Sequence, residues 1–310
     1  RALSLDPGFA SAGTNALAAL GRWSAELSDD GAWQDSTEIA AVAVRLAPDD
    51  AGLASNQIAV WQGWAMSEIN AGRPKEALEI LRNAGANVDA DTFAAMEIAI
   101  LTRPAEALIA AGDWDGALTQ SQTLYPLMDD TGRADLDSWR RSVFGRWANA
   151  TMNDEAFPTT LDILSRGLSE FPADPRLERS VRYLGQEWSI SAGYVAGLAV
   201  LGQIRTALPD INQMDDVVLA HVQRHISASH DTTPLDEMLS QVAQADALLL
   251  PDQSTDVAAR VYMTYGGAMI DTAQWQAAAS IYAAALARFP DHNSLNRNAR
   301  YVAQEWQREA

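Results

Sequence analysis

The sequence predicts an all-α chain of stacked helix pairs, about seven helix-turn-helix units followed by one further helix, and three observations predict it. One fixed spacing separates an aromatic residue from a later proline at three places: Trp33 and Pro48, Phe157 and Pro172, Trp275 and Pro290. Behind those prolines, again at constant spacing, come Leu53, Leu177 and Leu295, and then the Gln-x-Trp groups Gln62/Trp64, Gln186/Trp188 and Gln304/Trp306. The longest match pairs FPADPRLERSVRYLGQEW at 171–188 with FPDHNSLNRNARYVAQEW at 289–306. Recurrence of this kind marks a repeat architecture, because a single helix pair cannot bury its apolar face alone and must stack on neighbours.

Taken in order, the elements follow from local stop and start signals. Ala2-Leu3-Ser4-Leu5-Asp6-Pro7 reads as the tail of a second helix, since Pro7 precedes Trp23 by the same spacing that separates Pro48 from Trp64, so native sequence is expected upstream. Trp33 opens the second helix of the first full unit. Weaker copies open at Pro74 after Ala71-Gly72 and at Trp114 after Gly112-Asp113, where glycine ends one helix and proline or a capped position starts the next. Phe157 opens the next, followed by openings near Val195 after Gly193, near Pro234 after a polar stretch, and at Trp275. Asn293 to Glu309 repeats the first-helix pattern but carries Arg297, Arg300, Gln307, Arg308 and Glu309, a polar dressing suited to a terminal capping helix over 291–310.

In the last full unit, Tyr262, Tyr265, Gly266, Met269, Ala278, Tyr282 and Pro290 sit at the spacing W-x2-L-G-x2-Y…A-x3-F…P. On these residues the chain resembles the tetratricopeptide repeat (TPR)-like superfamily, with units of about 40 residues where 34 is usual; the half-a-TPR family is a neighbouring label. The spacing has a steric reason: Gly266 and Ala278 let two antiparallel helices approach, and the tyrosines fill the space around them. The resemblance implies a right-handed α-α superhelix, a single TPR-like solenoid over 1–310. Its concave groove would be lined by the first helix of each pair and would bind a partner segment.

Composition narrows the function. Acidic residues number 41 against 22 basic ones, a net charge of −19 that would repel nucleic-acid backbones and anionic membrane surfaces. A protein or peptide partner is expected, and a basic one is compatible with the charge; acidic loops that keep a long surface soluble are the simpler account of it. The absence of cysteine excludes disulfides, thiolate metal sites and a cysteine nucleophile. Apolar runs such as Ala243 to Leu250 are too short to span a bilayer. Neither G-x-x-x-x-G-K-[ST] nor G-x-G-x-x-G occurs, so no catalytic residue, cofactor or metal is assigned. The expected function is a non-catalytic protein-interaction scaffold. The repeat region of a larger bacterial transferase or oxygenase, or a structural part of an envelope assembly, stands as the alternative. The use of 21 Arg against one Lys inclines the source towards a GC-rich bacterium, cytoplasmic or periplasmic.

The groove candidates are first-helix residues that face away from the Trp and Leu packing positions: Gln62, Met66, Arg146, Asn149, Tyr183, Gln186, Met263 and Gln304, with Ser142 and Gly145 beside them. The plainer role for the repeated Gln is a hydrogen bond to a neighbouring helix. Trp64, Trp188 and Trp306 are expected to pack in helix interfaces. Some TPR proteins hold a peptide carboxylate with Lys, Arg and Asn; here the one lysine, Lys75, falls on a second helix, and Arg146 with Asn149 is the nearest approach to such a clamp. His221 and His225 lie one turn apart, a spacing compatible with a metal, but the Glu of H-E-x-x-H is missing and a solvated helix flank is expected. The Asp29-Asp30, Asp49-Asp50, Asp129-Asp130 and Asp215-Asp216 pairs read as carboxylates of turns and helix starts. Asn149-Ala150-Thr151 matches a glycosylation sequon inside a helix, where modification is not expected.

Overall fold

The computed structural model describes residues 10–85 and 90–309, and among them every regular element is helical. Helix α1 (Ala10–Asp29) pairs with α2 (Trp33–Leu46), and α3 (Ala51–Asn70) with α4 (Pro74–Gly85). The third first helix is in two pieces, α5 (Ala90–Leu101) and α6 (Arg103–Ala110), before α7 (Trp114–Gln122) and a 3-10 turn at Tyr125–Leu127. Then come α8 (Asp130–Asn153) with α9 (Phe157–Glu170), α10 (Pro175–Ala192) with α11 (Tyr194–Ala207), α12 (Met214–Ser229) with α13 (Leu235–Ala243), α14 (Pro251–Asp271) with α15 (Trp275–Arg288), and α16 (Asn293–Glu309). The chain divides into two compact units, Arg1–Val143 and Phe144–Ala310. The second-helix openings at 33, 74, 114, 157, 194, 235 and 275 agree with the sequence reading to within one position. The expected helix tail at Ala2–Pro7 lies outside the described residues.

The two-piece third first helix was not anticipated, and Pro104 accounts for it. Without an N–H, Pro104 cannot bond the carbonyl of Ile100, so the helix stops at Leu101 and restarts at Arg103. Thr102, between the pieces, donates its hydroxyl to the Ile98 carbonyl.

Five of the turns between first and second helices share one hydrogen-bond scheme. At Gly31, Gly72, Gly112, Glu155 and Ala273 the residue takes a left-handed φ, its N–H donates to the carbonyl three positions back, and the next N–H donates to the carbonyl five positions before it. This doubly bonded stop satisfies the last carbonyls of the helix. Three of the five positions are glycine, whereas Glu155 (φ 56) and Ala273 (φ 53) hold the same conformation against their Cβ atoms. Ala273→Gly is therefore expected to raise stability, measured by urea denaturation, by roughly 0.5–1 kcal/mol, the left-handed penalty less the entropy that glycine loses. An unchanged or lowered stability would count against the assignment. At the opposite ends, Asp50 accepts from the Gly52 and Leu53 N–H groups, Asp174 from those of Arg176 and Leu177, and Asp129 from that of Gly132. Each cap of this kind contributes about 1 kcal/mol.

In four of the helix pairs the core follows a two-position rule. Nine positions before the second helix opens stands a small buried residue, Ala65, Ala148, Gly185 or Gly266, and seven positions after the opening stands a buried filler, Leu81, Leu164, Leu201 or Tyr282. Two pairs show why. A Cβ added at Gly266 would lie 2.6 Å from the Tyr282 ring, and one at Gly185 would lie 3.2 Å from Leu201 Cδ2. The helices meet where one side chain is missing and the opposing one occupies its space. Tyr262, Ala278 and Tyr282 are buried together with Leu295 and Val302, as the repeat spacing required.

Candidate functional site

The first helices carry the candidate residues, and the structure places them on five different helices. Gln62 is exposed on α3, one turn from Met66, which is half-buried against the core around Leu78 and Leu81. Arg146 and Asn149 are both exposed on α8, next to exposed Ser142 and half-buried Gly145. Tyr183 and Gln186 are exposed on α10, and Gln304 on α16. Met263 on α14 is half-buried and lines a trough of about 350 Å³ with Leu219, Gln223, Asp256, Arg260 and His292, while Gln304 lines a separate shallow surface with Arg297, Arg300 and Tyr301. Gln62 with Met66, Arg146 with Asn149, and Tyr183 with Gln186 are each neighbours on one helix, while Met263 and Gln304 each stand alone on theirs. Gln62, Gln186 and Gln304 all reach solvent.

One stripe stands out within the second unit. On α10, Arg179, Tyr183, Gln186 and Ile190 are exposed at the spacing of a single helix face, while Leu177, Val181 and Leu184 are buried on the other side. The aligned residues on α16, Arg297, Tyr301 and Gln304, are exposed on the same register. Tyr183 is 52% and Tyr301 47% exposed, on helices whose opposite faces are buried. Sequence reasoning picked out Tyr183 and Gln186 but passed over Arg179, Arg297 and Tyr301, although the aligned segments carried the signal. It likewise passed over Gln223, Arg260 and His292; His292 lies 3.6 Å from the Asp256 carboxylate.

The repeated tryptophans differ in environment. Trp64 stacks on Trp61 with centroids 5.8 Å apart, and Trp188 on Phe157 at 6.0 Å, both half-buried. Trp306 departs from the expected packing. Helix α16 turns Leu295 and Val302 towards α14 and α15, which leaves the indole 42% exposed.

The histidine pair also departs from expectation. His221 is buried instead of solvated: its Nε2 lies 3.1 Å from the Tyr194 carbonyl, and its ring is parallel to that of Tyr194. Burial, the largest cause, pulls its pKa below the usual histidine value. His225 stacks on the same tyrosine at 3.8 Å and pairs through Nε2 with Gln241 Oε1 at 2.6 Å, while the Tyr194 hydroxyl, raised in pKa by its burial, donates to the Gln241 carbonyl. The one-turn spacing thus serves to clasp a tyrosine between α12 and α13. Among the described residues no group of three or more His, Asp or Glu side chains is placed to hold a metal ion. No described helix is long and apolar enough to cross a membrane.

Antiparallel helix pairs in regular succession, with a small residue of the first helix received by a large one of the second, define a TPR-like all-α repeat protein. No family model matches the chain, and no curated protein matches it. Among solved structures, the chain is similar to the C-terminal part of a TPR repeat-containing protein from Cytophaga hutchinsonii, at 14% identity over 90% of this chain and 98% of that one with a TM-score of 0.26. It is also similar to a tetratricopeptide repeat protein from Parabacteroides merdae (12% identity, 93% and 99% covered, TM-score 0.22) and to the yeast Sti1 TPR2AB-domain:pHSP90 complex (14% identity, 93% and 96% covered, TM-score 0.23). The TPR-like description rests on the helix packing of the chain itself.

Proposed function

We propose that this chain is a non-catalytic protein-interaction scaffold, one continuous array over 1–310 that holds a segment of a protein or peptide partner along its first helices. The observation that carries the proposal is the exposed Arg-Tyr-Gln stripe of α10, repeated on α16. Tyrosine and arginine are the side chains that dominate binding energy where proteins meet, because each offers a large rigid surface with a polar tip. Guanidinium and amide N–H groups in this register suit the backbone carbonyls of an extended segment. Gln62, Met66, Arg146, Asn149 and Met263 belong to the same proposed lining.

The test is crosslinking and capture with the whole chain and with the Tyr183→Ala/Tyr301→Ala double variant. Loss of the two rings is expected to keep the protein folded, with only a small drop in the thermal midpoint from the lost edge contact of Tyr301 with Trp275, and to weaken a captured partner by about tenfold or more, the usual effect of removing an interface anchor. Equal capture by both proteins would sink the proposal, as would the absence of any specific protein partner.

A further inference from the structure

The first helix pair breaks the two-position core rule. Ser24 stands nine positions before Trp33 and is small and buried, but seven positions after Trp33 the chain has Ala40, where Tyr282, Leu164, Leu201 and Leu81 fill the core; in the third pair that position is Ser121, and the Arg140 guanidinium reaches it. Ten positions after Trp33 comes Ala43, short as Ala84, Gly167 and Ala285 are in the same register. The volume left unfilled is a cavity of about 380 Å³ bounded by α1, α2 and α3. Its floor is Ala40, Ala43 and Ser24, its aliphatic walls include Leu53 and Val60, and Trp33 closes one side. Trp33 is itself held there by the absence of a side chain at Gly63, where a Cβ would lie 2.9 Å from the indole.

The polar groups at this cavity differ in availability. The hydroxyls of Ser24 and Ser28 both pair with Ser36 Oγ, at 2.9 and 2.8 Å, so they add little pull on a ligand. Asp29, exposed at the end of α1, and Asn56 line the mouth. Residues 10–70 carry eight carboxylates against two arginines, so the surrounding field favours cations and opposes anions. An apolar chamber of ligand size with an indole wall and a carboxylate at its mouth is complementary to one chemistry.

We infer that this cavity binds a small arylalkyl ammonium compound, its ring among Ala40, Ala43, Leu53, Val60 and Trp33 and its ammonium group at Asp29. This site is separate from the proposed partner stripe, which lies in the other unit of the chain.

The probes are phenethylamine, its neutral analogue 3-phenylpropanol and its anionic analogue 3-phenylpropanoate, titrated into the whole chain and followed by tryptophan fluorescence and saturation-transfer NMR. Phenethylamine is expected to bind saturably, the alcohol roughly threefold to tenfold more weakly because it lacks the carboxylate and indole–cation attractions, and the propanoate not at all. Asp29→Asn should bring the amine down to the level of the alcohol. Ala40→Leu should abolish binding while raising the thermal midpoint, since it fills the chamber; if that variant does not fold, Ala43→Leu takes its place. Equal binding of amine and propanoate would overturn the inference. So would full affinity in a folded filling variant, full affinity in Asp29→Asn, or no saturable amine binding up to about 10 mM, the range expected for a ligand of this few atoms.

Discussion

Gly197→Ala is expected to lower stability by about 2 kcal/mol or more, although alanine is the better helix former by about 1 kcal/mol. Gly197 lies in the first turn of α11, where that helix crosses both α10 and α12. A Cβ there would lie 2.5 Å from the Ser189 carbonyl oxygen and 2.6 Å from His221 Nε2. Neither neighbour yields easily: the carbonyl is backbone of α10, and the imidazole is fixed by the Tyr194 carbonyl on one side and by the stacked tyrosine ring on the other. Gly202, on the same helix, is the control. Its nearest neighbour would be Leu248 Cδ2 at 3.7 Å, an ordinary contact, so Gly202→Ala should be neutral or stabilising. Urea denaturation of the two variants checks the pair. Similar midpoints for both would show that the close approach at Gly197 is not the source of the cost.

The second large effect is Tyr282→Ala, expected to cost about 3–5 kcal/mol, the range for truncating a buried aromatic side chain. Tyr282 is among the largest fully buried side chains of the protein, lying over Gly266 and accepting a hydrogen bond from Asn298 Nδ2 at 3.3 Å. Tyr282→Phe separates ring from hydroxyl. It keeps the packing and loses one long hydrogen bond, so a cost of about 1 kcal/mol or less is expected. Midpoints from thermal or urea unfolding distinguish the two, and a phenylalanine variant as damaged as the alanine variant would place the stabilisation in the hydroxyl instead of the ring. The first helix pair is a natural counterpart, since Ala40 already occupies the register of Tyr282 and an open chamber stands where the ring would be.

Much of this arrangement was legible along the chain. Helix starts and stops are short-range events: a glycine shortly before Trp114, an aspartate before Leu53 or Leu177, or a proline at position 74 acts on the backbone within one turn. The repeat register was equally legible, since the spacing from Trp275 to Pro290 recurs wherever the same pair must pack. Some turn positions were hidden because Glu155 and Ala273 adopt the left-handed conformation without the glycine that signals it. The break at Thr102 was within reach of the sequence, since Pro104 was there to read.

Burial and vacancy were a different matter. The spacing of His221 and His225 says that both lie on one side of α12, yet it is the crossing of α11 that buries one and stacks a tyrosine on both. Trp306 matches Trp64 and Trp188 in register, but how far an indole is covered depends on which helices pack around it, so three equivalent tryptophans end with unequal exposure. Likewise, the alanines at 40 and 43 are ordinary letters until α1 and α3 are set on either side and no side chain reaches between them. Backbone hydrogen bonding and helix propensity are settled by neighbours in the chain, and these gave the helix pairs and their period. Packing is settled by neighbours in space, and it made the core at Tyr282, the clasp at Tyr194 and the chamber beside Trp33.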